Sequence, residues 1–217
     1  MNSVDADGPA RPRRPRAYLW AALVFLLLAA QTLLVALAFH YRSVRTQEEV
    51  EASAGAASAE LAQLLARDLQ SVLALPGQSA ASAAWRARAE ELLVARAELL
   101  RLERRDAALQ IVDAADTRAR PPLFAQLNRQ EIHVDTELAC AATRRRGGPT
   151  YSSSYFVPQA DGTGVEVMDL CVAERDAERI VGYVVASYSL SGLLDQLSAQ
   201  TLAPGNDLSF VEGDGAS

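Results

Sequence analysis

The residues best suited to binding chemistry lie in the last third of the chain, where hydroxyl side chains alternate along one segment. In an extended strand, Tyr151, Ser153 and Tyr155 would project to one face. Ser187, in a later apolar run, could close over that face. Hydroxyl donors combined with a guanidinium fork hold a small carboxylate bidentately. The pattern therefore predicts a ligand site for a small anion such as an organic acid.

Charged residues near this segment could complete the site. Arg144 and Arg145 end a predicted helix, and Asp169 interrupts an otherwise apolar strand. The arginines are equally explained as solvated charges that complement the helix dipole, and the tyrosines as half-buried sheet residues. Asp169 is either exposed on a half-buried sheet or paired with an arginine. Both interpretations stay open at this point.

The chain lacks the patterns typical of catalysis. Gly162-Thr163-Gly164 lies between predicted strands without a following helix, so it is not a dinucleotide fingerprint, and no P-loop or nucleophile elbow is present. His40 and His133 have no sequence neighbours that suggest a triad. Cys140 and Cys171 lack zinc-site spacing. We expect no catalytic residue, metal site or cofactor within the chain.

Composition narrows the class of protein. Of the 217 residues, 50% are hydrophobic and 22% are charged, which predicts one folded domain with appendages rather than a disordered chain. Lysine is absent, and the net charge is −6. This balance argues against a nucleic-acid partner, since such binding rests on phosphate neutralisation.

One segment predicts a membrane anchor. Residues 17–40 contain almost no polar side chain and are long enough to span the bilayer. Four arginines precede the segment, which predicts a cytoplasmic N-terminus in the inner membrane and a periplasmic remainder after about residue 41. A signal peptide cleaved at Ala36-Leu37-Ala38 is the alternative, although the apolar run is longer than a signal peptide requires. In the periplasm Cys140 and Cys171 could pair as a disulfide or remain two buried thiols.

Hydrophobic periodicity outlines an α+β domain. Its three central strands form an antiparallel meander, and its long N-terminal helices carry apolar stripes for core and dimer packing. The predicted elements are helices over 46–75 and 81–105, a first strand over 109–113, a helical turn over 121–127, a helix over 136–146 with Asp135 as N-cap, strands over 151–157, 165–172 and 180–189, a helix ending near 200, and a strand over 208–211.

This order resembles the extracytoplasmic Cache or PDC sensor domain, a PAS-like fold, over about 45–200. The resemblance is carried by residues 151–156, by Asp161-Gly-Thr-Gly164 with the strand after it, and by the strand-to-helix junction at 182–190. Residues 208–215 resemble the opening strand of a second copy, as in the four-carbon dicarboxylate sensor kinases. The resemblance implies a PAS-like antiparallel sheet flanked by helices.

The chain departs from the family pattern at two places. Amine-binding members have an Asp where this chain has Ser187, so an amino-acid or polyamine ligand loses support. The family's Arg-x-Trp pair is also missing, since residues 144–146 occupy that region with no Trp after them.

The resemblance implies the sensing region of a two-component histidine kinase. We expect a cytoplasmic tail over 1–16, a transmembrane helix over 17–40, a sensor domain over 41–200 and the start of a truncated second domain over 201–217. The homodimer would reach its response regulator through a kinase part after residue 217. The alternatives are a membrane-anchored interaction module that dimerises through its long helix, and the input domain of a chemoreceptor or cyclase.

Overall fold

A computed structural model describes residues 15–78, 80–129 and 133–201 of the chain. The chain divides into two compact units, with the boundary between Ala54 and Gly55. The helices are α1 (Pro15–Leu73), α2 (Ser82–Ala95), α3 (Val134–Arg146) and α4 (Leu190–Thr201); the strands are β1 (Leu99–Asp106), β2 (Ile111–Asp116), β3 (Thr150–Tyr151), β4 (Tyr155–Pro158), β5 (Gly164–Asp176) and β6 (Arg179–Ser189).

The first unit contains the apolar segment of α1. Tyr18–Ala38 is 21 residues long with a mean hydropathy of 2.5, so by length and composition it could cross a membrane. This agrees with a single-pass membrane protein, the coarser part of the localisation predicted from sequence. The tail was predicted over 1–16, but its last two residues already belong to α1. Its residues 1–14 and the predicted strand over 208–211 lie outside the described residues.

The second unit is built on one antiparallel sheet with the strand order β2-β1-β6-β5-β3, and β4 also pairs with β5. Residues of α1 and α2 pack on one face of the sheet, around Leu64, Trp85 and Tyr188. Residues of α3 pack on the other face, around Ala139 and Val185. The predicted α+β class, with long helices before an antiparallel sheet flanked by helices, is confirmed, and it is consistent with a PAS-like arrangement.

The predicted helix over 81–105 is wrong in its second half. α2 ends at Ala95, and Leu99–Asp106 form β1, an inner strand of the sheet. Leucine, glutamate and arginine favour helices, and their apolar positions also fit a helical stripe. Pairing with β2 on one side and β6 on the other overrides that preference.

The predicted strand over 151–157 is interrupted. Tyr151 pairs with Leu170 and Tyr155 pairs with Val167, so four steps along one strand match three steps along the other. One extra residue reverses the alternation of side chains between the two faces. Tyr151 therefore lies with Tyr188 on the α1 and α2 face, and the expectation that it shares a face with Tyr155 is wrong.

Helix α3 begins two residues earlier than predicted. His133 is its N-cap and makes no capping side-chain bond, and Asp135 lies in the first turn instead of capping it. Gly147 ends the helix in the left-handed conformation at φ 75°, where glycine carries no Cβ penalty. Three arginines in the last turn complement the dipole, as the sequence indicated.

A disulfide between Cys140 and Cys171 ties α3 to β5, which is one of the two alternatives left open by the sequence. Both cysteines are buried. The hydroxyl of Thr143 adds a second tie, since it donates to the carbonyl oxygen of Cys171 at 3.0 Å. α3 is thus fixed to the sheet at its C-terminal half.

Replacing both cysteines by alanine should lower the free energy of unfolding by about 3 to 4 kcal/mol, because the bridge closes a loop with a sequence separation of 31. Urea unfolding of the full chain in detergent micelles measures this. Reductant should destabilise the wild type by a similar amount and leave the double variant unchanged. Equal stability of the oxidised wild type and the variant would contradict the prediction.

Candidate functional site

A network of buried charges lies on the α3 face of the sheet. Glu103 on β1 and Asp169 on β5 are both 0% exposed, and Arg129, from the segment between β2 and α3, is 5% exposed. Isolated charges at such depth are strongly unfavourable, so each requires a partner of opposite sign.

The Arg129 guanidinium bridges the two carboxylates. Its Nε donates to Glu103 at 3.0 Å, and one terminal nitrogen donates to Asp169 at 2.7 Å. The other terminal nitrogen donates to the hydroxyl of Tyr155 at 2.9 Å. The Phe124 ring lies 4.4 Å from the guanidinium carbon and covers its face. Burial opposes the charge of Arg129, but the two carboxylates raise its pKa above the ordinary value.

Hydroxyl groups complete the coordination of Asp169. Ser187 donates to Oδ1 at 2.6 Å, Tyr155 donates to Oδ2 at 2.9 Å, and Thr136 of α3 also donates to Oδ2. Asp169 and Ser187 are register partners on β5 and β6, which explains their contact. Burial and the neighbouring carboxylate raise the pKa of Tyr155, so its hydroxyl stays protonated as a donor.

Two further arginines surround Glu103. Arg101 donates to Oε1 at 2.7 Å, and Arg105 donates to Oε2 through Nε at 2.9 Å and through a terminal nitrogen at 2.5 Å. Burial alone would raise the pKa of Glu103, but Arg129, Arg105 and Arg101 outweigh it and lower the pKa to about 2. Glu103 is therefore ionised at neutral pH.

The network is balanced in charge. Arg101 also donates to Asp116 at 2.6 Å, so three guanidinium groups face the three carboxylates of Glu103, Asp116 and Asp169. Alternation along β1 places Arg101, Glu103 and Arg105 on one face. Carboxylates on both sides of Arg129 hold its guanidinium in one position.

A cavity of about 250 Å³ borders this network, between α3 and the turn that joins β1 to β2. Its lining residues are Arg105, Leu109, Gln110, Ile111, Arg129, His133 and Glu137. Arg105 keeps N–H donors beyond those that Glu103 and the carbonyl oxygen of Leu109 accept. The cavity is therefore bordered by two fixed guanidinium groups and a single carboxylate, and Arg105 has N–H donors to offer.

The structure brings together three of the residues selected from the sequence and separates the others. Tyr155, Asp169 and Ser187 meet in the buried network. Arg144 and Arg145 are exposed in the last turn of α3. Tyr151 is half-buried with its ring centroid 6.2 Å from that of Tyr188, and Ser153 is exposed.

Arg144 lines a second cavity, of about 230 Å³, together with Cys140 and Tyr183. Leu109, in the left-handed region at φ 65°, lines both cavities. Leu109 therefore lies at the boundary between them.

Sequence reasoning missed Glu103, Arg105 and Arg129. Their signal was the alternation Arg101-x-Glu103-x-Arg105, which is a charged strand face, but it was interpreted as the solvent side of a helix. Nothing in the local pattern distinguishes Arg129 from a surface arginine. Within the described ranges, no cluster of His, Cys, Asp or Glu could hold a metal ion.

No protein-family model matches this chain, and no curated protein matches it in sequence. Among solved structures, it is similar to the ligand-binding domain of the Pseudomonas aeruginosa PAO1 amino-acid chemoreceptor PctC in complex with GABA, with 16% identity over 66% of this chain and 61% of that chain and a TM-score of 0.43. The ligand-binding domain of the Pseudomonas fluorescens chemoreceptor CtaA in complex with L-isoleucine gives 19% identity over 66% of this chain and 56% of that chain, with a TM-score of 0.44.

The sensor domain of the zinc-responsive histidine kinase CzcS from Pseudomonas aeruginosa gives 16% identity over 58% of this chain and 93% of that chain, with a TM-score of 0.23. The chain spans 61% and 56% of the two chemoreceptor domains. All three neighbours are ligand-binding or sensor domains, but at these identities and TM-scores they do not assign a function to this chain.

Replacing Asp169 by asparagine should lower the free energy of unfolding by about 3 to 5 kcal/mol, since Arg129 would lose one of its buried carboxylates. Urea unfolding of the full chain in detergent micelles measures the change. Asp176→Asn, at the exposed end of β5, is the matched control and should change stability by less than about 0.5 kcal/mol. Equal effects of the two substitutions would contradict the account.

Acid should remove the contribution of Glu103 to the free energy of unfolding. Its pKa falls from 4.5 to about 2 on folding, so its stabilisation is present above pH 4.5 and is lost as the pH falls toward 2. The stability difference between the wild type and Glu103→Gln should shrink by about 3 kcal/mol across that window. Urea unfolding of both proteins at a series of pH values measures it. A constant difference would show that Glu103 is not held ionised by its arginines.

Proposed function

We propose that this chain is a membrane-anchored sensing region that binds a small anionic ligand, such as an organic acid, in the periplasm. The observation that carries the proposal is the cavity of about 250 Å³ lined by Arg105 and Arg129. Both side chains are 4% exposed and held by carboxylates, so their positions exist before any ligand arrives. Preformed guanidinium groups bind carboxylates with little loss of side-chain entropy.

The available hydrogen-bond donors and the size of the cavity favour a small anion. Arg105 keeps N–H donors beyond those that Glu103 and Leu109 accept, and Glu137 is the single acid among the lining residues. The volume lies below the range of about 300 to 1,000 Å³ typical of pockets for larger organic ligands. A short-chain carboxylate or an inorganic anion fits this space better than a peptide does.

In this proposal the predicted residues take two roles. Tyr155, Asp169 and Ser187 hold Arg129 in position from behind, and Arg105, which keeps N–H donors, contacts the ligand. Arg144 would act at the neighbouring cavity, where its guanidinium could receive a second anionic group. In this proposal Tyr151, Ser153 and Arg145 do not contact the ligand.

The signal would pass through the sheet. The cavity lies on the α3 face, and the part of α1 after Gly55 packs on the opposite face. A ligand that binds one arrangement of the sheet more tightly shifts the population toward it. We propose that α1, as a homodimer helix with a cytoplasmic N-terminus, carries this shift to the membrane.

The output in the proposal is a histidine kinase after residue 217, which phosphorylates a response regulator. The resemblance to Cache sensors, including the dicarboxylate sensor kinases, supports this choice. Input to a chemoreceptor or a cyclase is the alternative, because the same kind of domain serves several outputs.

An interaction module is the second candidate function. A groove of about 630 Å³ lies between α2 and the C-terminal end of α1. Its lining mixes charged residues, such as Arg88 and Glu91, with apolar ones, such as Leu92. A docking function at this groove predicts that no small anion stabilises the protein.

Thermal unfolding of the full chain in detergent micelles, with small mono- and dicarboxylates, amino acids and inorganic anions, tests the proposal. A ligand at about one hundred times its Kd should stabilise the native state by about 2.7 kcal/mol. Arg105→Gln should weaken binding at least about tenfold, because one charge-assisted contact contributes more than about 1.4 kcal/mol.

Two variants control this experiment. Gln110 lines the cavity but does not belong to the buried network. Gln110→Ala therefore changes the cavity without removing a buried charge, which separates an effect on binding from an effect on folding. Arg118→Gln, on an exposed residue that pairs with Glu90, should leave binding unchanged. If no anion raises the melting temperature of the folded protein, the sensing proposal fails and the interaction module is favoured.

A further inference from the structure

Two acidic side chains are buried on the α1 and α2 face of the sheet, opposite the cavity, and they are near enough for a side-chain hydrogen bond between them. Asp68 of α1 is 0% exposed, and Glu98, just before β1, is 3% exposed. Neither carboxylate oxygen of Asp68 accepts a hydrogen bond from a donor among the described residues. Leu64 and Val72, one turn away on either side, belong to the apolar core. A carboxylate in such surroundings carries a large desolvation penalty.

The other charged and titratable groups around Asp68 do not compensate for this burial. Arg96, between α2 and β1, has its Nε 3.2 Å from Oδ1 but is 30% exposed to solvent, and its N–H does not form a hydrogen bond there. Arg67 contributes a weaker attraction from the exposed side of α1. Tyr151 of β3 and Tyr188 of β6 complete the surroundings, and the buried Tyr188 hydroxyl has no partner in the described part of the chain.

One proton shared by the two acids resolves this arrangement. A protonated carboxyl donates an O–H to the carboxylate beside it, which removes one of the two buried charges and supplies the missing hydrogen bond. We infer that Asp68 and Glu98 form a proton-binding site that links the packing of α1 on the sheet to the external pH.

Electrostatics supports the geometry. Burial first, then the charge of Glu98 and a hydrogen bond to it, together raise the pKa of Asp68 to about 7 against the opposing effect of Arg96. Burial, together with the charge of Asp68, also raises the pKa of Tyr151 to about 12 and raises that of Tyr188. Both hydroxyls therefore stay protonated throughout the range in which the acid pair titrates.

The sign of the pH dependence follows from this shift. The ordinary pKa of Asp68 is 3.8, so between 3.8 and about 7 the folded chain holds a proton that the unfolded chain has released. The contribution is fully present below 3.8, and it is lost as the pH rises toward 7. Above that value two buried carboxylates face one partly exposed guanidinium, which favours displacement of α1 from the sheet.

This site goes beyond the proposed function and does not depend on it, since it lies on the other face of the sheet and needs no small-molecule ligand. It would make the external proton concentration a second input to the same α1 helix.

The test compares the full chain with Asp68→Asn, which mimics the protonated acid, in detergent micelles between about pH 4 and about pH 8. The folding equilibrium constant of the wild type should fall relative to that of the variant by up to about tenfold per pH unit inside the window. Asp176→Asn, an exposed aspartate, is the matched control and should follow the wild type at every pH. Parallel pH profiles of the wild type and Asp68→Asn would overturn the inference.

A direct titration of the wild-type chain provides the second arm, and it does not depend on whether Asp68→Asn folds. In ¹³C-labelled wild-type chain, a buried aspartate carboxyl resonance should titrate with a midpoint near pH 7, and Glu98→Gln should lower that midpoint by removing the neighbouring charge. If every aspartate resonance titrates below about pH 5, the pair holds no shared proton at neutral pH and the inference is wrong. Loss of anion binding with this titration intact would instead count against the cavity proposal alone.

Discussion

A buried guanidinium between two buried carboxylates is the constraint on which the α3 face depends. Arg129 joins Glu103 of β1 to Asp169 of β5, and so connects strands that are separated in the sheet by β6. Asp169 in turn accepts a hydrogen bond from Thr136 of α3. Removing Arg129 would leave Asp169 buried without a cation, and removing either carboxylate would leave Arg129 buried with one acidic partner in place of two, so each change is costly. The same buried ion pairs hold two arginines beside the cavity before any ligand binds.

The two faces of the sheet treat charge in opposite ways. On the α3 face, three carboxylates and three guanidinium groups balance, and the arginines hold Glu103 ionised at neutral pH. On the α1 and α2 face, Asp68 has only one partly exposed arginine beside it and lies within the field of buried Glu98, so protonation substitutes for a missing cation. The first arrangement is fixed over the physiological range of pH, and the second is sensitive to it. A rigid anion site and a proton-linked helix contact can therefore coexist on one small sheet.

The sequence predicted the elements whose signals are local and missed those decided by tertiary pairing. Composition predicted the apolar segment of α1, and alternation predicted the meander of β5 and β6. The glycine at 147 after three arginines predicted the end of α3. β1 was assigned to a helix because leucine, arginine and glutamate favour helices until neighbouring strands pair with them. The extra residue between Tyr151 and Tyr155 could not be seen without the register of β5. For the site, Tyr155, Asp169 and Ser187 were selected together, but Arg129 carries no local signal.

The most direct measurement of the central claim, that fixed arginines at the cavity bind a small anion, is a ¹H–¹⁵N spectrum of the arginine Nε groups of the full chain during titration with a short-chain carboxylate. Arg101, Arg105 and Arg129 donate their Nε–H to Glu103, so their signals should be protected from exchange at neutral pH before any ligand is added. The account predicts that the signals of Arg105 and Arg129 then shift in a saturable way, and that those of exposed arginines such as Arg118 do not. Protected signals that stay unchanged at every carboxylate and inorganic anion concentration would show that the network only stabilises the fold.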